Sequence, residues 1–246
     1  MALLEVSDVT VRFGGHQALS SVGFAAEPGM VTGLIGPNGA GKTTLFNVIT
    51  GLQSPMSGMV VLDGHDLTKA KPYKRARAGL ARTFQRLELF PLLSVRENVK
   101  VAADLHRSYT RTRGVDGAAV ADAAIERVGL GELADAAIGQ LPTGQARLVE
   151  VARALAAQPR VLLLDEPASG QTDQETEAFA RLLGELTADG MAVVLVEHDV
   201  PLVMETCAQI HVLDFGNIIA SGTPEQIKQD RGVLEAYLGA GQGTER

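Results

Sequence analysis

Cysteine is almost missing from this chain. Cys207 is the single one in 246 residues, so no internal disulfide can form, and without a Cys/His cluster no zinc site is expected. A reducing compartment fits that usage. Long hydrophobic runs are missing too. Val161-Leu162-Leu163-Leu164 is stopped at once by Asp165, and no apolar stretch approaches the roughly 20 residues that span a bilayer. Any role at a membrane must therefore come through a partner. Met1 to Val6 lacks a basic region followed by an apolar run, so no signal peptide is expected. Positive charge is in the minority, with 22 Lys and Arg against 29 Asp and Glu and a net charge of -7. That balance argues against a broad nucleic-acid footprint. No internal repeat or low-complexity block is visible. What remains is an ordinary globular composition, 46% hydrophobic, long enough for one large domain or two small ones.

The most informative stretch is Gly36-Pro37-Asn38-Gly39-Ala40-Gly41-Lys42-Thr43-Thr44. It fits the phosphate-binding pattern G-x-x-x-x-G-K-[ST] at every fixed position. Gly36, Gly39 and Gly41 permit turns that a Cβ would forbid. The exposed N–H groups line an anion site at a helix N-terminus. Lys42 can reach the β- and γ-phosphates, and the Thr43 hydroxyl can ligate Mg²⁺. The flanks agree: Met30 to Ile35 reads as a strand, and Thr44 to Ile49 as a helix with apolar spacing.

Before this motif, Leu4 to Phe13 alternates apolar and polar residues, Gly14-Gly15 turns the chain, and Ala18 to Ala25 is again extended. Val60 to Gly64 reads as another short strand and its turn. From about Pro72 basic residues gather (Lys74, Arg75, Arg77, Arg82, Arg86) around Gln85. Helical spacing follows at Arg96 to His106, Ala118 to Val128 and Gly144 to Ala157, with a loop expected from Tyr109 to Gly117. Val161 to Leu164 and Met191 to Val196 suit buried parallel strands. Helices are expected at Glu175 to Ala188 and Pro201 to Ala208, strands at Ile210 to Asp214 and Ile218 to Ala220. A helical tail is expected over Pro224 to Leu238, fraying from Gly239 to Arg246. The order is a single α/β domain: a nucleotide-binding core at 1–86 and 159–246, interrupted by helices at 87–158.

Asp165 and Glu166 close the apolar strand Leu162-Leu163-Leu164, at the edge where open α/β sheets bind ligands. Asp165 can orient Mg²⁺ or its water shell, and Glu166 can polarise a water for in-line attack on a γ-phosphate. His198 ends the next strand in Glu197-His198-Asp199; it can hydrogen-bond the γ-phosphate, or serve a structural role. Gln85 can contact Mg²⁺ and the attacking water, or be a plain surface Gln. Leu141-Pro142-Thr143-Gly144-Gln145 precedes a helix whose start could form a second anion site.

Together these elements resemble the ATP-binding-cassette ATPases over nearly the whole chain. Gly36 to Thr44 looks like Walker A, Gln85 the Q-loop, Leu141 to Gln145 the signature, Val161 to Asp165 Walker B, Glu166 the catalytic glutamate and His198 the H-loop. Phe13 falls where the family puts an aromatic on adenine; as a bare strand residue it would be core. The resemblance implies a P-loop NTPase (RecA-like) core with an antiparallel β subdomain and an inserted α-helical subdomain. It also implies ATP and Mg²⁺ as ligands. Two cassettes, identical or paralogous, would pair head to tail, each ATP lying between one chain's P-loop and the other's Thr143, Gly144 and Gln145. Closure on ATP would drive transmembrane permease subunits, fed by an extracytoplasmic substrate-binding protein, with the cassette peripheral on the cytoplasmic face of the membrane. No nucleic-acid partner is implied. The stretches Arg82-Thr83-Phe84-Gln85, Leu89-Phe90-Pro91, Val95 to Val99 and Gly222-Thr223-Pro224-Glu225 are similar to the ATPases of branched-chain amino acid importers. Urea and lipopolysaccharide transport ATPases look alike in these regions, and a soluble regulatory cassette is a further reading.

Two departures from the family pattern stand out. Pro142 replaces the signature serine, leaving Thr143 or backbone amides to meet the γ-phosphate across the dimer. The D-loop reads Ser169-Gly170-Gln171-Thr172, with Asp173 one place late. Lys42, Glu166 and His198 are intact, so an active ATPase is expected. Leu87, Leu89 and Phe90, beside the Q-loop, are expected either to dock the permease or to be core of the helical segment.

Overall fold

Alternation within the apolar strands decides the layering. The computed structural model describes residues 2–110 and 116–240. In β7 (Val161–Asp165), Leu162 and Leu164 face one hydrophobic cluster while Val161 and Leu163 face another. In β8 (Ala192–Val196), Val193 and Leu195 divide in the same way from Ala192, Val194 and Val196. A strand with two buried faces needs cover on both sides, and a near-continuous apolar run is the sequence that meets this need.

These strands lie inside a six-stranded sheet ordered β10-β9-β3-β8-β7-β6. Here β3 is Val31–Ile35, β6 Leu80–Arg82, β9 Gln209–Asp214 and β10 Asn217–Gly222. All neighbours are parallel except β10, which returns antiparallel on β9. One face shares its core with α3 (Val95–Thr110), α4 (Gly117–Arg127), α5 (Thr143–Ala156), α6 (Asp173–Ala188) and α7 (Val200–Thr206). The other face shares its core with α1 (Lys42–Thr50) and an antiparallel sheet ordered β2-β1-β4-β5. That sheet comprises β1 (Leu4–Phe13), β2 (His16–Ala26), β4 (Ser57–Leu62) and β5 (His65–Asp66).

The structure refines the expected elements at several places. The alternation of β1 changes phase at Asp8, whose φ of 51° marks an irregularity in the pairing with β2. The two-residue β5 and three-residue β6 were not foreseen, being too short to show a period. The expected tail helix is two helices, α8 (Pro224–Gln229) and α9 (Arg231–Ala240). Asp230 between them is extended, and its Oδ1 accepts the Val233 N–H at 3.1 Å, the capping geometry that Asp favours over a helix interior. Residues 111–115 of the expected loop and 241–246 of the expected frayed tail lie outside the described residues.

The basic stretch after Pro72 is not one surface patch. In α2 (Pro72–Arg77), Arg75 is 2% exposed. Its guanidinium donates to Val48 O (2.7 Å) and Ile49 O (2.8 Å) at the end of α1, and to Thr68 O and Ala70 O. A cation there satisfies the orphan carbonyls at the negative end of the helix.

Candidate functional site

The P-loop joins β3 to α1 and admits no Cβ at two points. A Cβ on Gly36 (φ 149°) would stand 1.9 Å from Leu213 O, and one on Gly41 (φ 112°) 2.8 Å from Ala18 O. Gly41 is also the N-cap of α1 and offers no side chain to it, so the first N–H groups of the helix are left for a ligand. Pro37, Asn38, Gly39 and Ala40 form the turn between, with Asn38 and Gly39 exposed. Lys42 is buried, and its Nζ donates to Gly36 O at 2.6 Å and Pro37 O at 3.1 Å, folding back over the loop. Burial pulls the Lys42 pKa below the usual lysine value, against the opposing pull of Glu166 and Asp165. Thr43 is exposed and Thr44 half-buried at the helix start.

Asp165, the last residue of β7, is 2% exposed. Its Oδ2 accepts from the Arg82 guanidinium at 2.8 Å, while Arg82 also donates to Asn47 Oδ1 at 2.7 Å. The guanidinium carbon lies 5.2 Å from the Phe46 ring centroid and 4.9 Å from that of Phe84. The chain then turns sharply. Glu166 adopts a left-handed φ of 52°, and its N–H donates to Val196 O at 2.9 Å. That strained turn sends the Glu166 carboxylate across the strand ends, where it accepts from Gln85 Nε2 at 3.2 and 3.3 Å and from His198 Nε2 at 2.8 Å. Residues 85, 166 and 198, far apart in sequence, thus meet at one carboxylate. A carboxylate so held at a sheet's C-terminal edge can take a proton from a water beside it.

Thr143, Gly144 and Gln145 begin α5, with Pro142 as N-cap making no side-chain capping bond. Among the described residues no hydrogen bond joins these three to Lys42, Asp165, Glu166, Gln85 or His198. They rest instead on the loop after Glu166: a Cβ on Gly144 would stand 2.9 Å from Gly170 O. Thr172, where the expected pattern has Asp, closes a capping box on α6. Its Oγ1 accepts the Glu175 N–H, and Glu175 accepts the Thr172 N–H at 2.8 Å. Phe13 ends β1 with half its surface exposed, so it is not a core residue. Leu87 and Phe90 are exposed, whereas Leu89 packs partly buried on the helical core. The expectation of a core role therefore holds for Leu89 and fails for Leu87 and Phe90.

Three parts of the site were not foreseen. Arg82 was expected as one of a basic cluster and as part of the stretch leading to Gln85, not as the partner of Asp165. Glu197, buried, accepts the Ala168 N–H at 2.7 Å and the His198 N–H at 3.0 Å, bracing the two loops that carry Glu166 and His198; burial raises its pKa. In α5 Arg147 and Glu150 are buried and Arg153 half-buried, and their spacing of three in a largely apolar helix is the signal that could have found them. A cleft of about 590 Å³ opens at Thr83 and Phe84, with Tyr73 and Arg77 of α2, Phe90, and Leu105 of α3 among its walls.

The profile of the ABC transporter family matches residues 19–169. The chain belongs to the ABC transporter family. A profile described as branched-chain amino acid ATP-binding cassette transporter matches residues 217–242 of the cassette. The cassette is 40% identical over 249 residues to the high-affinity branched-chain amino acid transport ATP-binding protein BraF of Pseudomonas aeruginosa, covering 96% of this chain and 98% of that one. To the lipopolysaccharide export system ATP-binding protein LptB of Escherichia coli the identity is 31%, over 97% of this chain and 98% of that one. Among solved structures, a nucleotide-free ATP-binding cassette from an ABC transporter superposes with a TM-score of 0.87 at 30% identity, covering 96% and 99%. A cassette in its ADP conformation superposes with a TM-score of 0.86 at 30% identity, covering 97% and 99%. The fold is that of the P-loop ATPase cassettes, and the chain is an ATPase subunit of a membrane transporter.

Proposed function

We propose that this cassette powers an importer of branched-chain or related amino acids. Lys42 and the amides of Gly36 to Thr44 bind the ATP phosphates, Phe13 lies against adenine, and Glu166 activates the hydrolytic water. His198 meets the γ-phosphate, and Gln85 reports on the site. Thr43, Gln85 and Asp165 offer a hydroxyl, an amide oxygen and a carboxylate, the hard oxygen donors that suit Mg²⁺. Bound there, Mg²⁺ neutralises phosphate charge. The observation that carries the catalytic reading is Glu166, held between Gln85 and His198 beside the P-loop lysine. Lys42 Nζ donates to the loop carbonyls of Gly36 and Pro37, which places its ammonium over the loop where phosphate oxygens would lie.

The second anion site, Thr143 to Gln145, serves the ATP of a partner cassette in a head-to-tail dimer, identical or paralogous. The cleft at Thr83 and Phe84 takes a cytoplasmic helix of a permease subunit. Exposed Phe90 beside Val101, Ala102 and Leu105 of α3 supports that reading. An extracytoplasmic binding protein supplies the cargo indirectly. The cassette works as a peripheral protein at the inner membrane face, and among the described residues no helix is long and apolar enough to cross a membrane. The 40% likeness to BraF against 31% to LptB, with the match at 217–242, supports amino-acid import over lipopolysaccharide export.

The test is ATP-dependent uptake of labelled leucine into vesicles carrying the cassette and its permeases. Uptake is expected with the native cassette and absent with Lys42→Ala or Glu166→Gln. Glu166→Gln should still bind ATP and accumulate as an ATP-trapped dimer, whereas Lys42→Ala should lose tight binding. Turnover by either variant at the native rate would overturn the catalytic assignment; ATP hydrolysis without leucine uptake would overturn the cargo.

A further inference from the structure

The segment from Thr83 to Leu93 belongs to no helix or strand, and Gln85 to Glu88 are exposed. Its backbone groups still need partners, and side chains of the helical segment supply them. Arg147 of α5 donates to Phe84 O at 2.7 Å and also to Gln85 O. Glu150 accepts the Glu88 N–H at 2.8 Å, and Arg153 donates to Glu88 O. Asn98 of α3, fully buried, accepts the Phe90 N–H at 2.8 Å and donates to Phe90 O at 3.1 Å. The Glu150 side chain, 1% exposed, lies 3.4 Å from Arg147 and 3.9 Å from Arg153. The planar fork of arginine suits two successive carbonyls, which an ammonium cannot hold in fixed orientation.

Arg147 stands one helical turn from Thr143, about 6 Å along α5 at 1.5 Å per residue. The other end of that turn rests on Gly170, in the loop after Glu166. One rigid helix therefore touches the Glu166 loop at its start and the Gln85 backbone one turn later. The Gln85 amide reaches the Glu166 carboxylate at 3.2 and 3.3 Å, distances that a small displacement of the backbone would break.

We propose that Arg147, seated on Glu150, is a positioning residue that holds the Gln85 backbone so that the Gln85 amide stays within reach of the Glu166 carboxylate. This rests on the roles assigned to Gln85 and Glu166 above. Because the link is mechanical, removing Arg147 should matter only while Gln85 has its amide.

The experiment is a double-mutant cycle on the full-length chain with Arg147→Met, Gln85→Ala and both together, reading kcat, KM for ATP, melting temperature and amide hydrogen exchange. Arg147→Met should lower kcat about tenfold with KM within about twofold. In the Gln85→Ala background it should change kcat by less than about twofold, while the fall in melting temperature is the same in both backgrounds. In nucleotide-free protein, exchange at the Glu88 amide, whose N–H is held by the Glu150 carboxylate beside Arg147, should speed up in Arg147→Met and not in Gln85→Ala. Arg147→Lys keeps the charge on Glu150 but loses the fork, so it should show a smaller kcat loss that also disappears without Gln85; it serves if Arg147→Met does not fold. Equal kcat losses in both backgrounds, native kcat in Arg147→Lys, or unchanged exchange would overturn the proposal. Native kcat in Gln85→Ala alone would instead overturn the role of Gln85, and the link with it.

Discussion

Arg82→Met should be among the most damaging single changes outside the residues that contact ATP. Both partners of the Arg82–Asp165 pair are almost wholly buried, at 4% and 2% side-chain exposure and 2.8 Å apart. At about 4 Å and an effective dielectric of about 20, such charges attract by roughly 4 kcal/mol. Removing one partner leaves the other as a buried, uncompensated charge, which costs about 3–5 kcal/mol. Methionine keeps much of the packing between Phe46 and Phe84, so the loss is electrostatic first. For a chain of this size 1 kcal/mol corresponds to roughly 2–4 °C, so the nucleotide-free protein should melt roughly 6–20 °C lower. Adding Asp165→Asn to Arg82→Met removes the stranded charge and should recover part of that loss. Arg160 and Asp63 make the control. They are closer, at 2.6 Å, but about half exposed, and Arg160→Met should leave the melting temperature unchanged because solvent screens such pairs. Denaturant and thermal melts of the native protein and the three variants without Mg²⁺ or nucleotide decide it. Arg82→Met within about 1 kcal/mol of native, or Arg160→Met equally harmful, would refute the argument from burial.

Phe90→Glu should abolish leucine uptake while basal ATPase and melting temperature stay native, because Phe90 is half exposed in the cleft wall. Leu89→Glu should instead lower the melting temperature, since Leu89 packs on the core; uptake, ATPase and thermal melts on both variants separate the two. His211 gives a pH dependence. Burial lowers its pKa below 6.5, and its Nδ1 shares a hydrogen bond with Ser221 Oγ at 2.8 Å. The folded state keeps it neutral while the unfolded chain takes up a proton, so its contribution is complete above pH 6.5 and lost as pH falls below that value. His211→Gln should flatten the acid side of the melting-temperature profile, and an unchanged slope would count against the assignment.

The sequence by itself determined the glycine loop between β3 and α1 and most of the layering. A glycine pattern that must avoid Leu213 O and Ala18 O cannot vary much, and strands buried on both faces must be apolar throughout. Asp165 and Glu166 were legible for a related reason: carboxylates directly after such a strand can only lie at its edge. Tertiary structure alone decided what those carboxylates meet. The pairing of Arg82 with Asp165 spans 83 positions, and that of Gln85 with Glu166 spans 81, so no local period or propensity encodes either. Tertiary structure likewise separated Arg75 and Arg82, buried on carbonyls and a carboxylate, from basic neighbours left in water, since composition registers charge but not the partner that offsets its desolvation. It also divided Leu89 from Leu87 and Phe90. In a segment without regular structure, no alternation says which side chain turns inward; the side chains that hold its backbone, Arg147, Glu150 and Asn98, come from helices that reach it only once the chain has folded.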